Sequence, residues 1–161
     1  MRNQFEMLSQ LCSNRNLGGI IVPNFSISAV LMMKFAQEAA RYFSTVEIIE
    51  LHHDEKRDSP SGTAIRTAEM ISEILNYSSP KIEGEMTIAG ARGAVYQGIP
   101  IHSIRLPGLV AHQEVLFGSS GQTLTIRSDL INREAYCPGI CLACKKVVEL
   151  QELKYGLEHL L

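Results

Sequence analysis

Between Ile99 and Ser128 the chain reads as three strands in succession, and this most restricts its fold. In Ile99 to Leu106, Ile99, Ile101 and Ser103 alternate with polar positions such as His102. Pro107-Gly108 marks a turn. Leu109 to Phe117 and Thr123 to Ser128 follow as strands, joined at Ser119-Ser120-Gly121, a hairpin signal. The preceding half mixes helical and strand patterns. Phe5, Leu8, Leu11 and Cys12 give residues 4–12 the spacing of a short amphipathic helix. LGGIIVPN reads as a short buried strand stopped at Pro23. Asn24 or Ser26 then caps a helix over 27–42. Thr45 to Leu51 is β-branched and apolar, a strand. Ser61 precedes a helical pattern from Gly62 to about Asn76, with Ala68, Ile71 and Leu75 on one side. A break follows at Ser78-Ser79-Pro80, and 82–98 is glycine-rich and ambiguous. A last helix is expected from Asn132 to Glu149, kinked by Pro138 or starting there. The tail ELKYGLEHLL is amphipathic. Together these elements predict an α+β fold, a mixed sheet with helices on one face.

The chain's 161 residues are close to the size of one domain and can bury a real core. Its net charge of -2 favours neither nucleic acid nor an anionic membrane. Its longest apolar runs, such as Ile20 to Val22, are far too short to span a bilayer. The opening residues lack the apolar core of a signal peptide. Three of four cysteines crowd into Cys137, Cys141 and Cys144, which argues against a disulfide framework and for a reducing compartment. Their spacing puts them on one helix face, where small-residue packing is expected rather than redox or zinc chemistry.

The densest chemistry lies in EIIELHHDEKRDSPSGTA, Glu47 to Ala64. Ser61-Gly62-Thr63 falls at a helix N-terminus, where unpaired N–H groups and the helix dipole attract an anion. Gly62 lets that anion come close to the backbone, and Lys56 can add a full positive charge. His52 and His53 are adjacent, so along a strand they point to opposite sides. A histidine can donate or accept a proton near neutral pH. These parts suit a small carboxylate or phosphate substrate with one proton transfer beside it. The same residues also admit plainer readings. Ser-Gly-Thr can be a cap alone, and Asp58 can brace the loop by a local turn. His52 and His53 with Asp54 and Asp58 could ligate a metal, though no third histidine stands at ligand spacing. Arg92 is either an anion contact or a solvated turn. His102 and His112 read as structural. Arg105 and Arg127 read as sheet-surface charges.

From Glu50 to Ala64 the chain resembles the signature E-x-H-H-x-x-K-x-D-[AS]-P-S-G-T-A of 4-hydroxy-tetrahydrodipicolinate (dihydrodipicolinate) reductases, matching every fixed position. VPNFSISAVLMMKFA and HSIRLPGLVAHQEVLFG are also similar to that family's segments. The resemblance implies an NADPH- or NADH-dependent oxidoreductase of the diaminopimelate route to lysine, acting on a small cyclic dicarboxylate. It implies His52 as proton donor and Lys56 as its catalytic companion. Lys56, with His53, Gly62 and Thr63, would also bind the substrate carboxylates. Asn24 and Phe25 would lie where nicotinamide meets substrate. It further implies a homotetramer formed through the sheets, in which Arg105 and Arg127 would face another subunit, and a cytoplasmic or plastid-stromal location; the ligand spacing leads us to expect no resident metal.

The departures carry as much weight. A dinucleotide site needs a glycine-rich turn that follows a strand and opens a helix. Gly18-Gly19 instead precedes the apolar run. The expectation is a truncated form of the reductase, inactive alone. Residues 1–23 would be the remnant of the cofactor domain, 24–132 the substrate-binding and oligomerisation domain, and 133–161 a helix and tail that pack on the cofactor domain. Ser128 stands where many members carry histidine. Strands 109–129, with no evident covering helix, are expected to form the main oligomer contact. Pyridine-2,6-dicarboxylate should bind near Lys56 and Thr63. Two other functions compete: a non-catalytic dicarboxylate-binding or assembly protein on the same fold, and a metal-dependent hydrolase using His52 and His53.

Overall fold

The computed structural model describes residues 2–75 and 84–161. In chain order the elements are α1 (Arg2–Asn14), β1 (Gly19–Ile21), α2 (Ile27–Ala39), β2 (Thr45–His52), α3 (Gly62–Leu75), β3 (Ala94–Tyr96), β4 (Ile99–Arg105), β5 (Ala111–Ser119), β6 (Gln122–Leu130), α4 (Cys137–Lys146) and β7 (Leu153–Tyr155). Two compact units result, one of residues up to Val30 with Arg133–Leu161, the other Leu31–Asn132.

The second unit is built on a five-stranded mixed sheet of order β3-β4-β2-β5-β6. β2 is central, parallel to β4 and antiparallel to β5. β5 and β6 form the expected hairpin, with Ser119 opposite Gln122. Alternation along β2 buries Val46, Ile48 and Glu50 and leaves the residues between them half-buried. Ile101 and Val115 flank Ile48 in register, and Phe117 flanks Val46. All of these are buried. Against this layer α3 presents Ala64, Thr67, Ala68 and Ile71, a helical stripe with all four buried. Leu75, expected on that stripe, ends α3, and its side chain lies outside the described residues, as do Asn76 and the Ser78-Ser79-Pro80 break. Gln37 Nε2 donates to the Met70 carbonyl at 3.2 Å and ties α2 to α3. The fold class is therefore the expected α+β.

The other sheet face is half-exposed and charged. His112 shares a 2.7 Å hydrogen bond with Asp129, while Arg127 pairs with both Asp129 and Glu114. His102 and Arg92 both engage Glu47. Arg92, left open by the sequence between anion contact and solvated turn, thus has an internal carboxylate partner. β6 is an edge strand, exposed over most of its length.

In the first unit, β1 pairs in parallel with β7, so the amphipathic tail docks on the strand predicted near the start of the chain. Phe5 of α1 meets Tyr155 of β7 edge-on, with ring centroids 6.2 Å apart. Ser26 caps α2: its Oγ accepts the Ala29 N–H at 3.3 Å, and Asn24 Oδ1 accepts the Ser26 N–H at 2.9 Å. The single helix expected over 132–149 is broken. A 3₁₀ turn at Arg133–Tyr136 precedes α4, and another at Val147–Glu149 follows it. Pro138 sits in the first turn of α4, where its missing N–H leaves no bond unmade. The packing face of α4 is Gly139 and Ala143, not the cysteines; Cys137, Cys141 and Cys144 are exposed. A Cβ at Gly139 would collide with the Phe25 carbonyl, so glycine permits that close approach.

Candidate functional site

At the C-terminal end of β2 the alternation that buries Val46 and Ile48 places a carboxylate inside. Glu50 is 0% exposed. His52, two residues on and on the same strand face, shares a 2.6 Å hydrogen bond between its Nδ1 and Glu50 Oε2. Arg105, opposite His52 on parallel β4, donates both terminal nitrogens to Glu50 at 2.8 Å each. Ser61 donates its backbone N–H to Glu50 Oε1 at 3.2 Å. Burial pushes the Glu50 carboxyl up. Hydrogen bonds from His52, Arg105 and Ser103, with the Arg105 charge, outweigh burial and bring it down to about 2.

The loop from His53 to Pro60 is fastened beside that carboxylate at two points, one through Arg105 and one at its end. Arg105 Nη2 donates to the Asp58 carbonyl at 2.7 Å, and the Ser61 amide supplies the second tie. Ser61 also caps α3, its Oγ accepting the Ala64 N–H at 3.2 Å. The amides of Gly62 and Thr63 therefore lie at the start of a fourteen-residue helix. A Cβ at Gly62 would meet nothing within 4 Å, so the space beside this backbone is open. Beneath it, Gln113 Nε2 donates to Thr67 Oγ1 at 2.7 Å, and that hydroxyl donates to the Thr63 carbonyl at 2.8 Å.

Lys56 Nζ donates to both Asp58 oxygens, at 2.7 and 2.8 Å. The hydrogen bond from Lys56 is the main reason the Asp58 carboxyl lies below its ordinary range. Asp58 was expected to brace the loop by a local turn; its side-chain partner is Lys56. The Asp58 side chain is 62% exposed and that of Lys56 21%, so water and an incoming carboxylate can compete with Asp58 for Lys56.

The second unit thus gathers His52, His53, Lys56, Gly62 and Thr63 around one loop and helix start. Asn24 and Phe25 belong to the first unit. Two residues of the site escaped sequence reasoning. Glu50 was legible only as the first residue of a motif, although a charged residue on the apolar face of β2 was a usable signal. Arg105 was read as a sheet-surface or intersubunit charge and is instead the partner of a buried carboxylate; only the β2–β4 register brings the two together. Among the described residues no group of three His, Cys, Asp or Glu side chains could hold a metal ion. No helix among them is long and apolar enough to cross a membrane.

A mixed sheet with a histidine–carboxylate pair, a lysine and a helix start on one loop defines a candidate acid–base site for a small anion. The family model described as "Dihydrodipicolinate reductase, C-terminus" matches residues 28–161, and the chain belongs to that family. The 4-hydroxy-tetrahydrodipicolinate reductase of Moorella thermoacetica is 56% identical over 158 residues, 98% of this chain and 59% of the relative. That of Coxiella burnetii is 58% identical over 158 residues, 98% of this chain and 64% of the relative. The solved structure of dipicolinate-bound dihydrodipicolinate reductase from Paenisporosarcina sp. TG-14 superposes with a TM-score of 0.91 at 51% identity, covering 100% of this chain and 61% of that one. The chain therefore spans about three fifths of the length of these relatives.

Proposed function

We propose that this chain is the substrate-binding part of a 4-hydroxy-tetrahydrodipicolinate reductase. It holds a small cyclic dicarboxylate with Lys56, His53 and the amides of Gly62 and Thr63. His52 gives a proton to the bound ring. The observation that carries this reading is the placement of the Glu50-paired His52 at the end of β2, where the loop that bears Lys56 and leads into α3 begins. One carboxylate would replace Asp58 at Lys56 through a charge-assisted hydrogen bond. The other would lie at the helix start, where Gly62 leaves the backbone open. The dipicolinate named in the similar structure is a ligand of this chemical kind.

NADPH or NADH would supply a hydride to such a ring, but Gly18 and Gly19, the glycine pair beside β1, do not fit its pyrophosphate. Gly18 is pressed against the Leu150 carbonyl, and Gly19 pairs with Leu153 in the β1–β7 ladder. Both are occupied by internal packing rather than forming a cradle that opens a helix. The reading is therefore confined to substrate holding and proton supply, with Asn24 and Phe25 proposed as contacts to a nicotinamide held elsewhere. A homo-oligomer, a tetramer by resemblance to the family, would form through the exposed β5–β6 side of the sheet.

The 161-residue chain is expected to show no saturable NADPH or NADH binding in a fluorescence titration at micromolar protein. It is likewise expected to show no substantial turnover in a coupled reductase assay. Robust turnover that disappears in His52→Ala would contradict this and require a cofactor site among these residues.

A further inference from the structure

We infer that Glu50 and Arg105 are positioning residues that confine the proton chemistry of His52 to its Nε2 atom and tie it to the loop that bears Lys56. The inference rests on the proposed role of His52 and adds how that role is enforced. The 2.6 Å contact between His52 Nδ1 and Glu50 Oε2 needs one hydrogen between two atoms. Glu50 is already surrounded by donors: two nitrogens of Arg105, the Ser61 amide and the Ser103 hydroxyl. A carboxyl in that setting is ionised and has only lone pairs to offer. The hydrogen therefore belongs to Nδ1.

The neutral imidazole has one N–H. With Nδ1 carrying it, Nε2 is bare in the neutral ring and holds the second proton in the imidazolium. That second proton is the one His52 can give away. Among the described residues Nε2 makes no hydrogen bond, while the His52 side chain keeps 13% of its surface exposed. The arrangement is that of an oriented base whose other nitrogen is pinned by a carboxylate.

Arg105 makes the pinning rigid. It grips both oxygens of Glu50, so the carboxylate cannot rotate away from His52 without losing a paired contact. The same guanidinium holds the Ile104 and Asp58 carbonyls at 2.8 and 2.7 Å. Asp58 in turn chelates Lys56. The orientation of His52 and the path of the Lys56 loop thus share one anchor. A purely structural ion pair between β2 and β4 would need neither a defined histidine tautomer nor the tie to the loop.

The test is two-bond ¹H–¹⁵N correlation of the histidine rings in the ¹⁵N-labelled 161-residue chain. It is run at basic pH, where the ring nitrogen shifts themselves report that the imidazoles are neutral. His52 is assigned by its absence in His52→Gln. The expected result is a single neutral tautomer, Nδ1–H, for His52. In Glu50→Gln the Nε2–H form should become a measurable or major population. Wild-type His52 in the Nε2–H form overturns the inference, and this measurement needs no variant other than the assignment control. A Glu50→Gln protein that folds and keeps His52 wholly Nδ1–H overturns it as well. Dipicolinate affinity, measured in parallel with wild type and Lys56→Ala, tests the substrate reading alone. An unexpected tautomer with Lys56-dependent binding overturns only the positioning role. The expected tautomer with no such binding overturns only the substrate reading.

Discussion

Arg105→Ala is expected to destabilise the chain by about 3–5 kcal/mol, the range for removing one partner of a buried ion pair. The substitution leaves Glu50, which is 0% exposed, without either of its 2.8 Å contacts to the guanidinium. It also frees the Asp58 carbonyl and with it one of the two loop anchors. An ionised carboxylate held by only His52, Ser61 and Ser103 is poorly compensated, and it can relieve the penalty only by taking up a proton. Arg105→Ala,Glu50→Gln should recover part of the loss, because the uncompensated charge is then gone. Urea unfolding of the three proteins at pH 7 checks this. A loss below about 1 kcal/mol for Arg105→Ala would place the pair among ordinary surface ion pairs.

Acid should act on the same carboxylate. Glu50 lies at about 2 in the fold against an ordinary value of 4.5. Its folded value is the lower one, so between those pH values the unfolded chain binds more protons than the folded chain. Stability from this group is therefore fully present above about pH 5. It is lost progressively as pH falls towards 2, and the gap corresponds to about 3 kcal/mol. Asp58 and Asp129 are also depressed, so their contributions have the same sign, but both are open to water and should add little. The measurement is unfolding free energy at several pH values between 7 and 2.5, for wild type and Glu50→Gln. The variant should show a clearly shallower acid slope, whatever its stability at neutral pH. Equal slopes would mean that Glu50 is not the group that titrates.

Much of this architecture was legible because local patterns agree with the packed arrangement. The alternation in Thr45 to Leu51 and the stripe from Ala64 to Ile71 are both set by burial against one core, so periodicity finds them. Ser61 announced its cap, and Ser26 was one of two candidates with Asn24, because a short polar side chain at a helix start has a local job. The C-terminal helix was misjudged in length. A proline in the first turn of α4 can be read, whereas the flanking 3₁₀ turns follow from tertiary packing. The cysteines share a helical face by spacing, yet Gly139 and Ala143 are the residues that pack. Their exposure cannot be read from a helical wheel in which all five positions are small. In the site, His52, Lys56, Gly62 and Thr63 lie within twelve residues, and local order suffices to find them. Arg105 is remote in sequence from Glu50 and meets it only through the parallel β2–β4 register. No residue near either one encodes that pairing.

The central claim is that the Lys56 loop and the start of α3 bind a dicarboxylate. Calorimetric titration of pyridine-2,6-dicarboxylate into the 161-residue chain and into Lys56→Ala, at neutral pH and low salt, tests it most directly. Losing the charge-assisted contact should cost about 1.5–3 kcal/mol, a weakening of roughly 10- to 150-fold. The account predicts saturable binding to the wild-type chain and a loss of that size in the variant. Equal affinities for the two proteins, or no binding to either, would contradict it.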